Sequence, residues 1–290
     1  MNESIMLMEQ VPAVLYGVVI VLGILIGSFL NVVIYRLPIM MEQSWKSECA
    51  DYFPDASLDA EQTTFNLMLP RSHCPECHHI IGAFENIPLF SWLFQKGQCK
   101  HCHCKISKRY PSIELLTAIL SFVVAYTVPF GWPLVFGLLF TWLLICLAFN
   151  AFDTMLLPDQ LTLSLLWLGL IININGSFVD LSSAVIGAIF GYISLWSVYW
   201  GFKLLTGKEG MGHGDFKLLA ALGAWFGWQA LPLILLMSSV AGVIVGISMM
   251  LAAKDKKSRP FPFGPYLAIA GWIFLAYGQS ITLFYYSLVL

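Results

Sequence analysis

"PAVLYGVVIVLGILIGSFLNVVIY", residues 12–35, runs for 24 residues without a charged side chain. A helix needs about 20 apolar residues to cross the roughly 30 Å hydrocarbon core of a bilayer. This run is long enough, and too long for the apolar part of a signal peptide. The ten residues ahead of its first positions hold Glu3 and Glu9 and no Lys or Arg, so no cleaved leader is expected. Working outward, seven more runs read the same way: 113–130, 132–151, 160–176, 181–205, 215–228, 229–252 and 264–288. The sixth of the eight is short, and its border with the seventh falls somewhere in "WFGWQALP" (225–232).

Composition agrees with that reading. The 290-residue chain is 58% hydrophobic and 11% charged, whereas a soluble domain carries roughly 25% charged residues. Mean hydropathy is +0.77. The expected class is an all-α polytopic membrane protein with about eight transmembrane helices. A net charge of −2 offers nothing to nucleic acid.

The basic residues orient the spans. Arg36, Lys46, Arg71, Lys96, Lys100, Lys105, Lys108 and Arg109 lie in the connection 36–112, and 152–159 has none. Lys203, Lys208 and Lys217 lie in 203–217, and Lys254, Lys256, Lys257 and Arg259 in 253–263. With eight spans these connections share one side, and they hold all 15 Lys and Arg. That side is read as cytoplasmic, which puts both termini outside. The domain expectation is a first transmembrane helix (1–36), a cytoplasmic loop (37–112) and a seven-helix membrane domain (113–290). Within the loop, 39–64 is acidic and polar and reads as poorly ordered.

The rest of the loop carries "CPEC" (Cys74, Cys77) and "CKHC" (Cys99, Cys102). Two CxxC pairs fit a zinc ribbon, each giving two thiolates to one tetrahedral ion. Cytoplasmic thiols stay reduced, so metal is favoured over disulfide. A loop with little core of its own gains its fold from the ion. Cys104 and His73, His78, His79, His101 and His103 crowd the motif, and a ligand set that uses one of them is the alternative. Four thiolates leave no open coordination position, so the metal is structural and the chemistry lies elsewhere.

Acids at membrane edges are costly and tend to be functional. Asp180 falls on the outer side. Asp255 and Glu209 sit beside lysines and read as solvated. Glu114 opens the second span, where an acid suits a helix N-terminus; contact with a substrate's amino end is the sharper alternative. Asp153 and Asp159 follow the third span in "FDTMLLPD" (152–159), and Asp215 opens the sixth in "GMGHGDFKLL" (210–219) on the same side. Two aspartates from different helices at one membrane face make a carboxylate pair. One member activates water while the other, protonated, polarises a peptide carbonyl. Glycines at 210, 212 and 214 give a substrate backbone room beside Asp215. A transporter is a second reading, although its acids would sit at the midplane. An assembly scaffold that docks through the ribbon is a third.

G-x-G-D at a membrane edge resembles the GxGD intramembrane aspartic proteases. "GSFLNVVIYRLP" (27–38), "FNLMLPRSHCPEC" (65–77), "ENIPLFSWL" (85–93), "CKHCHCKISKRYPSIELLTA" (99–118), "FDTMLLPDQLTL" (152–163), "GMGHGDFKLLAALGAW" (210–225) and "FPFGPYLAIAGW" (261–272) resemble the bacterial type IV prepilin leader peptidases, in order along nearly the whole chain. The resemblance implies a bifunctional inner-membrane enzyme that meets its substrates in the lipid bilayer. It cleaves prepilins or type II secretion pseudopilins on the cytoplasmic side, then N-methylates the new terminus with S-adenosylmethionine. It maps the catalytic pair onto Asp153 and Asp215 and the zinc set onto Cys74, Cys77, Cys99 and Cys102. Relatives often carry an additional aspartate where this chain has Ala151, and Cys104 is an addition to their four cysteines. Asp159 is left with capping the fourth span. No residues for the methyl donor are readable.

Overall fold

The computed structural model describes residues 11–53, 65–208, 210–252 and 262–289. Glu209 and Asp255 therefore lie outside the described residues, as does the Lys/Arg cluster 254–259. Among the described residues the chain is helical, with isolated β-bridges His73–Ile80 and Gln98–Lys105 in place of strands. It divides into two compact units, Met1–Phe122 and Val123–Leu290.

In the first unit α1 spans Pro12–Tyr52, with Pro12 at its first turn. It continues well past the expected end at 35, through Pro38. Residues 39–52 hold no glycine or further proline, and an exposed Glu42–Lys46 pair at 2.7 Å supports the helical spacing. A 3₁₀ turn at Ala83–Asn86 and the short α2, Phe90–Phe94, punctuate the loop. Helix α3 runs Arg109–Thr127. Small residues let α1 approach α3 closely. A Cβ on Gly23 would lie 2.8 Å from Ala118 Cα, and one on Gly27 would lie 2.7 Å from Glu114 Cα. Asn31, a turn further on, donates to the Tyr110 carbonyl at 3.1 Å. This interhelical bond, expected of a polar residue inside a span, is present.

The second unit holds α4 (Trp132–Thr154), α5 (Asp159–Asn173), α6 (Leu181–Thr206), α7 (His213–Phe226), α8 (Leu231–Ala252) and α9 (Gly264–Val289). The eight apolar runs thus correspond to α1 and α3–α9. Six of the described helices are long and apolar enough to cross a membrane. Helices α5 and α7 are shorter, 15 and 14 residues, or about 22 and 21 Å at 1.5 Å per residue. The soft border between the sixth and seventh runs falls at Gly227 (φ +77°), after which a 3₁₀ turn, Trp228–Ala230, leads into α8.

Helix α7 is buried from Asp215 to Phe226 apart from Lys217. Gly187 of α6 meets Gly223 backbone to backbone, and a Cβ on Gly191 would lie 2.6 Å from the Leu219 carbonyl. Trp225 donates to the Leu165 carbonyl at 2.8 Å and packs on Phe140 at 4.6 Å between ring centroids. Asn173 donates to the Ala224 and Trp225 carbonyls at 2.9 and 3.1 Å. By contrast, outward side chains such as Leu204 and Leu205 stay 79% and 88% exposed, as suits a lipid-facing surface. Asp180 caps α6, accepting from Ser183 N–H at 2.9 Å; the Ser182 hydroxyl, then that amide, holds its carboxyl down at about 2.

Candidate active site and metal centre

Asp153 lies exposed in the last turn of α4. That helix ends at Met155, which takes a left-handed conformation and donates to the Ala151 carbonyl at 3.1 Å. Asp215 sits in the first turn of α7 and is 7% exposed. Two close approaches connect the surrounding backbone. A Cβ on Gly214 would lie 2.7 Å from Leu157 Cβ. One on Gly264, the first residue of α9, would lie 2.9 Å from Leu157 Cδ1 and 3.1 Å from Asp215 Oδ1. Two residues into α9, the buried Tyr266 meets Phe152 edge-on at 6.3 Å. The chain neighbour of Asp153 and the oxygen of Asp215 thus both touch the first turn of α9, so both carboxylates belong to one end of this unit.

The three glycines ahead of Asp215 do not share one role. Gly210 packs on Phe202 and Gly214 on Leu157, whereas a Cβ on Gly212 would meet nothing within 4 Å. Room for an approaching chain is therefore at Gly212. Gly214 is needed for internal packing.

Asp159 does not cap α5 as expected. Pro158 holds that position and has no side-chain donor or acceptor. Asp159 instead accepts from Lys217 Nζ at 2.6 and 2.7 Å. It stands in the first turn, where a negative charge suits the helix end. Lys217 is engaged by this pair on the rim. His213 is exposed and lies against the rings of Tyr199 and Phe216, at 5.1 and 5.4 Å.

The cysteine loop of the first unit is built on two matching turns. Cys74 N–H donates to the His79 carbonyl and His78 N–H to the Cys74 carbonyl, both at 2.9 Å. In the second turn Cys99 N–H donates to the Cys104 carbonyl at 2.9 Å and His103 N–H to the Cys99 carbonyl at 3.0 Å. His78 and His103 both take positive φ, 55° and 58°. The sulfurs converge: Cys74 lies 3.7 Å from Cys102 and 3.4 Å from Cys104, and Cys77 lies 4.0 Å from Cys99. Four thiolates around one Zn²⁺ at 2.3 Å would stand about 3.8 Å apart, so the spacing fits the metal. The sulfurs of Cys74, Cys99, Cys102 and Cys104 all lie within 4.8 Å of one another.

Amides aimed at these sulfurs support the charged form. Those of Cys77 and Glu76 hold the Cys74 thiol down at about 6. The Cys104 amide, then its thiol, lowers Cys102. The Cys102 and Cys74 sulfurs push Cys104 up to about 12. For Cys77 the His79 amide pulls downward, but burial and the Cys102, Cys74 and Cys99 sulfurs carry it up to about 12. Crowded sulfurs cannot all ionise without a cation, which is the chemistry a metal site exploits.

Two buried charges tie this loop down, a role that sequence reading did not assign to either. Arg36 is 7% exposed and donates to the Asn66 and Pro70 carbonyls at 2.8 and 2.5 Å, with Phe65 against its guanidinium at 5.5 Å. Glu114, also 7% exposed, accepts from Leu89 N–H at 2.7 Å. It receives the loop's own backbone, where a substrate's amino end was the sharper expectation. Gly264 and Tyr266 are a further omission: they lie in "FPFGPYLAIAGW", a stretch noted only for its resemblance.

Residues 21–128 match the bacterial peptidase A24 N-terminal domain, and residues 138–247 match the type IV leader peptidase family. The chain belongs to the type IV leader peptidase family. Over 98% of both chains it is 57% identical to the prepilin leader peptidase/N-methyltransferase of Aeromonas salmonicida (strain A449). It is 57% identical to the Aeromonas hydrophila protein of the same name over 96% of both chains. The Pseudomonas aeruginosa protein of that name is 54% identical over 91% of this chain and 90% of its own. No solved structure matches. Within this leader peptidase, the two family matches cover Cys74 to Cys104 in the first part and Asp153 and Asp215 in the second.

Proposed function

We propose that this chain cleaves the leader peptide of type IV prepilins or type II secretion pseudopilins and then methylates the exposed amino group. Asp153 and Asp215 form the catalytic pair, at the cytoplasmic face of the bacterial inner membrane, with both termini on the periplasmic side. The observation that carries the reading is the placement of Asp215. It is buried in the first turn of α7, against the first turn of α9, which also packs on the neighbour of Asp153.

One carboxylate takes a proton from water as the oxygen attacks the scissile carbonyl. The other, protonated, gives a hydrogen bond to the carbonyl oxygen as negative charge develops there. Return of a proton to the leaving nitrogen releases the leader and frees the new amino terminus. Open space at Gly212 suits an extended leader strand beside Asp215.

Cys74, Cys77, Cys99 and Cys102, the set the CxxC spacing picks out, would hold a structural Zn²⁺ that organises the loop, and the Cys104 sulfur lies within 4.8 Å of those of Cys74, Cys99 and Cys102. S-adenosylmethionine would supply the methyl group, passed from its sulfonium to the neutral amino nitrogen with release of S-adenosylhomocysteine and a proton. The decisive test incubates membranes carrying the full chain with a prepilin and S-adenosylmethionine, then weighs the product's amino-terminal peptide. Loss of the leader plus one methyl group is expected. An intact prepilin would reject the peptidase reading.

A further inference from the structure

The proposed metal centre contains more sulfur than one ion uses. Cys104 occupies the position in the second turn that His79 occupies in the first, since the bridge and hydrogen-bond patterns of the two turns match. The two residues behave differently. His79 turns away to Glu85, with Nε2 3.3 Å from Oε2, and lies against His101 at 3.6 Å between ring centroids. Cys104 turns inward and places its sulfur 3.4 Å from Cys74.

Two tetrahedral sets can therefore be drawn. Cys74, Cys99 and Cys102 together with Cys104 lie mutually within 4.8 Å. Cys77, paired with Cys74 in the first CxxC, places its sulfur 4.0 Å from that of Cys99. The two sets share three sulfurs and differ in the fourth.

We propose that Cys77 and Cys104 are interchangeable fourth ligands: either completes the tetrahedron on Cys74, Cys99 and Cys102, and the other stands by as a spare thiol. The proposal rests on the reading of this loop as a zinc site. Its consequence is tolerance. Loss of either sulfur leaves four thiolates, whereas loss of a shared one leaves the competing pair at a single vertex and the ion short of a ligand. Four-thiolate zinc is closed in either state, so exchange keeps the site structural.

The test measures metal in full-length protein purified in detergent, before and after the same chelator step. Wild type, Cys77→Ser and Cys104→Ser should each retain about one zinc per chain, as expected of one four-thiolate site. Cys77→Ser/Cys104→Ser and Cys99→Ser should lose most of it. Cobalt provides a readout that does not depend on how well the double variant folds. The thiolate-to-cobalt charge-transfer band of Cys77→Ser should match the wild-type intensity, because Cys104 supplies the fourth sulfur. A Cys77→Ser protein that loses zinc, or whose cobalt band falls by about a quarter as one of four thiolates goes, overturns the exchange. So does zinc loss in Cys104→Ser, or full retention in Cys99→Ser. Wild type that binds neither metal rejects the zinc reading itself, an outcome distinct from all of these.

Discussion

Glu114 and Asp215 are equally buried, each 7% exposed: Glu114 is the sixth residue of α3, and Asp215 stands in the first turn of α7. Their surroundings differ. Glu114 is taken up by the chain: the Leu89 amide donates to it at 2.7 Å, and Gly27 of α1 closes over its backbone. Asp215 faces glycines. Gly264 stands against its oxygen, and Gly212, three residues back, has open space beside it. Burial of a charge marks a position as important without saying for what. A carboxylate already bonded to a loop amide holds the loop. One walled by residues without side chains has room for a substrate.

The largest expected effect separates the two acids. Asp215→Asn and Asp153→Asn should each reduce leader cleavage to background, because an amide neither accepts a proton from water nor cycles one. Zinc content and membrane insertion should stay normal. Glu114→Gln should keep cleavage measurable, since a carbonyl oxygen still accepts from Leu89. A Glu114→Gln protein as inactive as Asp215→Asn, with the loop intact by limited proteolysis, would erase the distinction.

A second effect divides the activities between the units. Cys74→Ser/Cys77→Ser removes one shared sulfur and one exchangeable sulfur, so zinc should be lost. Methyl transfer to a synthetic peptide beginning with phenylalanine should then fall at least as far as cleavage. Asp215→Asn should still methylate that peptide, because a neutral amine attacks the methyl donor without help from a carboxylate. Equal loss of both activities in a folded Asp215→Asn protein would replace two centres with one.

Gly264→Ala tests the wall beside Asp215. The added methyl would stand 3.1 Å from Oδ1 and 2.9 Å from Leu157, closer than ordinary contact. Displacing the carboxylate by a few tenths of an ångström should lower kcat about tenfold or more, given the sensitivity of catalysis to such shifts. Stability should fall by about 1–3 kcal/mol from overpacking. Gly212→Ala, with nothing to meet, should leave stability unchanged and act on KM. A thermal melt with steady-state cleavage distinguishes the pair.

Most of the helical fold was legible because lipid imposes a simple rule: long uncharged runs, with Lys and Arg confined to particular connections. Every expected span has its helix. The extension of α1 to Tyr52 was hidden because a polar helix in water carries no apolar signal, only the Glu42–Lys46 spacing. The CxxC pairs and G-x-G-D announced themselves because metal and acid chemistry demand particular residue types at particular spacing. What stayed hidden depends on distant backbone. Arg36 reads as one more basic residue until it reaches the Asn66 and Pro70 carbonyls, 30 and 34 positions away. Gly264 reads as a helix-opening glycine until the fold sets it against Asp215.

Asp159 provides the smallest effect and the sharpest check on which acid partners Asp215. It stands six residues from Asp153 in one short segment, so the sequence alone admits both. The structure gives Asp159 other work, binding Lys217 with both oxygens at 2.6 and 2.7 Å. Its side chain is 59% exposed and that of Lys217 is 28% exposed. Exposed ion pairs contribute about 0–1 kcal/mol, and a charge at a helix N-terminus about 0.3–1 kcal/mol. Asp159→Asn removes both contributions yet retains an oxygen that can accept from Lys217. It should therefore lower stability by at most about 1–2 kcal/mol, less at high salt. Its effect on kcat should be within about threefold, because no proton of the reaction passes through it. Lys217→Met should do little more. If Asp159→Asn were inactive and Asp153→Asn active on the same prepilin, Asp159 would be the partner of Asp215, and its bond to Lys217 would have to open during turnover.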